Sequence, residues 1–169
     1  MAIKRAIKNS IVPAIQKAII SEADSLINLA NNGVAYANWV VTAPGSADAD
    51  GIHMVGDGSS KNAVLSTNLK VSTEYTVILR ITKWTNPAGN LIIINGDSAF
   101  TASTVVAVAG TIGLVKKKLT SVGIMVSNRL GLRLAALPIG TDVDFTDVMI
   151  FEGDQTNNPA TDTYIPYVG

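Results

Sequence analysis

The chain has 169 residues, 47 % of them hydrophobic and 15 % charged, and its 13 basic and 13 acidic side chains cancel to a formal net charge of zero. That length builds one domain with a sizeable core, and the charge balance removes the electrostatic case for binding nucleic acid or an anionic membrane. The lack of cysteine excludes disulfides, thiolate metal sites and thiol nucleophiles, and the single histidine, His53, excludes multi-histidine metal centres.

The opening, MAIKRAIKNSIVPAIQKAII, sets Lys4, Arg5 and Lys8 ahead of apolar residues as a secretory signal does. Gln16 and Lys17 interrupt the apolar run, however, and no small-residue cleavage site follows. No stretch approaches the roughly 20 apolar residues of a membrane helix. The expectation is therefore a soluble protein that does not use this export route.

Residues 10–33 carry the chain's helical pattern. Ser10 can cap the start, Pro13 suits the first turn, and Gly33 can close the end in the left-handed conformation. Ile15, Ile19, Ala23, Leu26, Ile27 and Ala30 recur at spacings of three and four and share one face. Such a helix must dock that face on something. It can pack on its own domain, or project as an arm that bundles with sister copies or plugs into a neighbouring protein. The division expected is a helical arm over residues 1–33 and a β domain over 34–169, with Ile15, Ile19, Ala23, Leu26 and Ile27 as the oligomerisation or docking face.

Beyond Gly33 the period changes to two. In TEYTVILRITKW, Tyr75, Val77, Leu79 and Ile81 point one way while Thr76, Arg80 and Thr82 point the other, with Ile78 and Trp84 as apolar exceptions. NPAGN turns into LIIIN, which GD closes. Further strand segments are VAYANWVV, GIHMV, STVVAVAG, TIGLVKKKLT, VGIMVS, LGLRLAAL and VDFTDVMIF. Short strands between turn signals predict an antiparallel β-sandwich or jelly roll. GDGSSKN lacks the phosphate-loop pattern and reads as a loop. VKKKL, without interleaved aromatics, reads as a solvated strand end.

Carboxylates are the available catalytic groups. Asp142, Asp144, Asp147, Glu152 and Asp154 crowd one segment, where Asp142, Asp144 and Glu152 share a strand face unless a bulge intervenes. A glycosidase pair usually converges from different strands, so these read as edge and turn residues. Asp147, with turn carbonyls or Asp97, offers some oxygens to a structural calcium, but the spacing of a dedicated calcium loop is absent. Neither a catalytic site nor a cofactor is implied. Trp84, opposite Tyr75, Val77 and Leu79 and just before the Asn86–Asn90 turn, is the candidate for stacking on a sugar ring. The commoner alternative is that Trp39 and Trp84 fill the core.

The ending carries a resemblance. Val148, Met149, Ile150, Phe151, Glu152 and Gly153 form an apolar strand with an exit turn, and a polar linker then leads to Tyr164, Pro166 and Tyr167. This arrangement resembles the close of a jelly-roll module, akin to carbohydrate-binding modules, found in tail, baseplate and fibre proteins of tailed phages. The likeness spans residues 70–169, and its linker is longer than the pattern's. It implies a virion structural subunit that is made in the host cytoplasm and assembles as a small homo-oligomer, a trimer being favoured, with other virion proteins. The second function it implies is a carbohydrate-binding module for a host-surface glycan. That function requires two or more aromatics exposed on one face or loop rim. Physically, Tyr164-Ile165-Pro166-Tyr167 is a lid returning over an edge or opening of the sandwich, with Pro166 blocking further pairing.

Overall fold

A computed structural model describes residues 26–67, 69–86, 88–95, 103–121, 129–134 and 137–168. Among the described residues, ten strands are shared between two five-stranded antiparallel sheets. The first sheet holds β1 (Trp39–Val41), β4 (Lys61–Ser66), β9 (Arg129–Leu134), β6 (Asn90–Asn95) and β7 (Ser103–Val108), in that order. The second holds β2 (Ser46–Asp48), β3 (Gly51–Val55), β10 (Asp142–Glu152), β5 (Glu74–Trp84) and β8 (Gly113–Thr120). Only the β2–β3 and β6–β7 connections stay within one sheet. The layout is the expected sandwich.

The core lies between the sheets, where the alternating residues predicted for β5 (Tyr75, Val77, Leu79 and Ile81) meet Leu91, Ile93, Leu130, Leu132 and Leu134 from the other side. Burying such side chains contributes roughly 1.5–3 kcal/mol each before chain entropy is charged. Trp39 stands edge-on to Phe145 at 6.5 Å between ring centres. Strand β4 hides from a reading by alternation because its first inward position is Lys61, only 1 % exposed. Its ammonium donates to the Ala43 carbonyl at 2.9 Å and to Asp57 at 2.6 Å, which makes burial tolerable. Asp57 is held well below the usual carboxylate range, first by that hydrogen bond and then by Ser59.

Two bulges reset which side chains face inward. On β5, Lys83 faces Asp144 while Ile81 faces Phe145, so Thr82 is the extra residue. Trp84 therefore returns to the core face opposite Val143, correcting the expectation that it faces away from Tyr75 and Val77. On β10, Thr146 faces Arg80 and Met149 faces Ile78, which places one extra residue in β10, where Asp147 has φ +54°. Asp142 and Asp144 thus lie outward together, and Glu152 falls on the other parity.

Among the described residues no α-helix occurs. Ile15, Ile19 and Ala23 lie outside the described residues, as does VGIMVS. Residues 26–33, expected to finish the helix, run extended along β10 instead. Strand β3 pairs with β10 only over Asp142–Phe145. Further along that edge, Leu29 N–H donates to the Ile150 carbonyl at 2.8 Å. The Asn28 side-chain oxygen accepts from Ile150 N–H, and the Asn32 amide donates to the Val148 carbonyl, both at 2.9 Å. Unpaired edge groups buried away from water are costly, and these two asparagines satisfy them. Residues 28–32, expected within the helical arm, are thus hydrogen-bonded to the β domain.

Candidate functional site

The C-terminal segment lies beside this N-terminal strap. Asn28 and Tyr167 form a parallel bridge, and the Asn28 amide donates to the Ile165 carbonyl at 2.7 Å. Ile165 packs on a second apolar cluster made by Ile78, Met149 and Phe151 on the outer face of the second sheet, together with Leu26 and Leu114. A 3-10 turn at Pro159–Asp162 anchors the linker. There Lys116 of the VKKKL run donates to the Asn158 carbonyl and to Thr161, each at 2.7 Å. The tyrosine-proline ending is thus a lid over an apolar sheet face as well as a partner for the strap.

Between strap and lid opens a cleft of about 300 Å³, lined by Asn31, Asn32, Gly33, Val34, Tyr164, Pro166 and Tyr167. Tyr164 and Tyr167 are 39 % and 41 % exposed there. Asn32 is a structural pin: its oxygen accepts from Trp39 Nε1 at 2.9 Å, and its amide donates to the Val148 carbonyl and to the Tyr164 hydroxyl at 3.4 Å. Asn31 is exposed, and its oxygen accepts from Gly33 N–H at 3.3 Å. Gly33 has φ +72°, and an added Cβ would stand 2.9 Å from the Asn38 side chain, so both backbone and space call for glycine.

The backbone behind the cleft is strained. Ala35, Tyr36 and Asp147 all adopt positive φ, near +55°, which costs an L-residue roughly 1–2 kcal/mol each. Tyr36 holds the arrangement: its hydroxyl accepts from Asp147 N–H at 2.8 Å and shares a 2.6 Å hydrogen bond with Thr146. Burial pushes the pKa of this phenol up, against those hydrogen bonds. Arg80 Nε donates to the Asp147 carboxylate at 2.8 Å, which commits the carboxylate once considered for calcium. Among the described residues no cluster of three metal-binding side chains exists.

A second polar group occupies the other end of the same outer face. His53 lies within 3.0 Å of Asp48 through Nε2 and 3.1 Å of Asp144 through Nδ1, and Lys83 approaches Asp142 and Asp144 at 3.8 and 3.7 Å. Burial alone would lower the His53 pKa. The two carboxylates outweigh it and the net shift is upward.

Trp84, the residue picked for sugar stacking, is only 8 % exposed and belongs to the core. It presents no ring face to a ligand. Of the docking face, Leu26 is half-buried on the second apolar cluster and Ile27 is 66 % exposed. Leu26, Ile27 and Leu29 also wall a separate cleft of about 390 Å³ with Phe151, Glu152 and Gln155. Tyr164 and Tyr167 were legible in the sequence as a latch. Their shared cleft depends on the strap, and no local sequence pattern announces that. Among the described residues, no helix is long and apolar enough to cross a membrane.

No protein-family model matches the chain, and no curated protein matches it. Among solved structures it is similar to "Family 16 Carbohydrate Binding Module-2", at 17 % identity and a TM-score of 0.48, over 73 % of this chain and 99 % of that one. It is also similar to "TmCBM61 in complex with beta-1,4-galactotriose", at 13 % identity and a TM-score of 0.42, over 75 % of this chain and 99 % of that one. Neither description names a phage or a virion. These two structures are described as carbohydrate-binding modules, and this chain's own β-sandwich architecture rests on the hydrogen-bonded ladders described above.

Proposed function

We propose that the chain is a carbohydrate-binding module whose contact surface is the cleft between strap and lid. One observation carries the reading: Tyr164 and Tyr167, each about two-fifths exposed, line one open cleft together with the Asn31 side chain. An aromatic ring offers the apolar face that a sugar's C–H face matches, and its hydroxyl edge stays wet. A flanking amide then fixes orientation, as polar groups do in mostly apolar sites. The cleft sits at the small end of ligand pockets, which run from about 300 to 1,000 Å³. A single sugar ring of about twelve heavy atoms, at roughly 0.3 kcal/mol each, binds with a Kd in the millimolar range.

Isothermal titration with β-1,4-galactotriose, alongside a glycan array, tests the reading. Tyr167→Ala is expected to weaken binding about tenfold or more with the melting temperature unchanged. Wild-type protein that retains no glycan, or a Tyr167→Ala variant that binds as well as wild type, overturns it.

A second reading is a virion structural subunit of a tailed phage, assembling as a trimer through the N-terminal region. It is favoured by the exposure of Ile27 (66 %), Val34 (90 %) and Val168 (80 %) around the strap and lid, and by the 390 Å³ cleft walled by Leu26, Ile27 and Leu29. Light scattering on the full chain and on a chain beginning at Leu26 tests it. Truncation at Gly33 would remove Asn28 and Asn32 and damage the sandwich itself. An oligomeric full chain beside a monomeric shortened one supports this reading, and two monomers remove it.

A further inference from the structure

Building on the carbohydrate-binding reading, we infer that Asn31 is the residue that determines specificity in the cleft, and that the ring it selects is uncharged. Among the described residues, no Asp, Glu, Lys, Arg or His lines the cleft. A uronic acid, sialic acid or phosphorylated sugar would surrender hydration of its anion there with no cation to compensate. Neutral rings meet no such penalty.

The polar groups of the cleft divide into committed and available ones. The Asn32 amide is spent on Val148, Tyr164 and Trp39, so it positions and does not read. Asn31 differs. Its side-chain oxygen accepts from Gly33 N–H and its carbonyl from the Asn38 amide, while its own NH2 group has no partner among the described residues. Tyr167 likewise has no hydrogen-bonded hydroxyl partner among them. A planar NH2 whose oxygen is tethered presents two donors in a fixed plane, suited to the acceptor oxygens of neighbouring sugar hydroxyls. The tether matters because it reduces the rotamer freedom lost on binding. Tyr164 and Tyr167 supply contact area that any pyranose can use, so discrimination falls to Asn31.

The test uses the full chain and two matched pairs, methyl galactoside against methyl galactosiduronate and methyl glucoside against methyl glucosiduronate, each uronate with a free carboxylate, followed by ligand-observed NMR titration. At least one neutral member is expected to bind roughly tenfold or more tighter than its acid. Asn31→Asp, which replaces two donors with a charged acceptor, should weaken the neutral sugar by at least about tenfold, and Asn31→Gln should recover part of that. Because Asn31 is exposed, all three proteins should melt alike. Equal binding of a neutral sugar and its acid, or an Asn31→Asp variant within about twofold of wild type, overturns the inference while leaving the glycan reading standing. If neither the four glycosides nor galactotriose binds, the glycan reading fails and this inference fails with it.

Discussion

The two ends of one sheet face have been finished in opposite ways. On the outer side of the second sheet, Ile78, Met149 and Phe151 lie under Leu26 and Ile165, all but sealed from water. At the other end Asp144 of β10 and Lys83 of β5 join Asp48 of β2 and His53 of β3 in a polar group nearer to solvent, paired with one another. The division falls at the Asp147 bulge, where β10 changes which parity faces outward. One extra residue thus turns an alternating strand into two half-strands with different partners. It also ends the pairing with β3 and leaves the edge that the strap occupies.

Breaking the sealed end should have the largest effect. Phe151→Ala removes a side chain 1 % exposed and is expected to cost about 3–4 kcal/mol, read by urea unfolding. Asn28→Ala strands the Ile150 N–H and the Ile165 carbonyl together, and about 2–3 kcal/mol should be lost. If that variant unfolds with wild-type stability, strap and lid are not integral to the domain. Ala35→Gly sharpens the comparison from the strained side. Relief of positive φ against the added chain entropy of glycine should leave a net gain of about 0.5 kcal/mol.

The open end should respond least to substitution but alone to mild changes of pH. His53 has its pKa raised above the ordinary 6.5, so its contribution is fully present below 6.5 and fades as pH rises through the folded-state value. Because the group is near the surface, the loss of melting temperature between pH 6 and pH 8.5 should be a few degrees at most. In His53→Asn this extra loss should vanish. An identical slope in both proteins would show that the clasp contributes nothing.

These regions also mark how far the sequence could be read. Strands β5 and β10 stood out because Tyr75, Val77, Leu79 and Ile81 alternate and because 148–151 is apolar throughout. The bulges at Thr82 and Asp147 did not, since a bulge is a property of hydrogen-bond register and two strands must be seen together to count it. The expected outward face of Trp84 fails for that reason alone, while the commoner alternative, that Trp39 and Trp84 fill the core, agrees with the structure. Lys61 masked β4 by standing, charged, at an inward position. Over residues 26–33, Leu26, Ile27 and Ala30 fit a helical spacing, yet the buried amides of Asn28 and Asn32 find better use on the Val148 and Ile150 backbone. The cleft was invisible because its walls, Asn31 and Tyr167, are 136 positions apart (167 − 31) and meet only through that strap.

The parallel sense of the Asn28–Tyr167 bridge has a mechanical consequence. Tension applied through residues 26 and 168 would drag strap and lid past each other lengthwise, because parallel neighbours pulled from opposite ends slide and do not unzip. The contacts of Asn28, Leu29 and Asn32 on β10 and of Ile165 on Met149 would then share the load at once. Such a junction yields only when several contacts break together, where a peeling hairpin would give way one bond at a time.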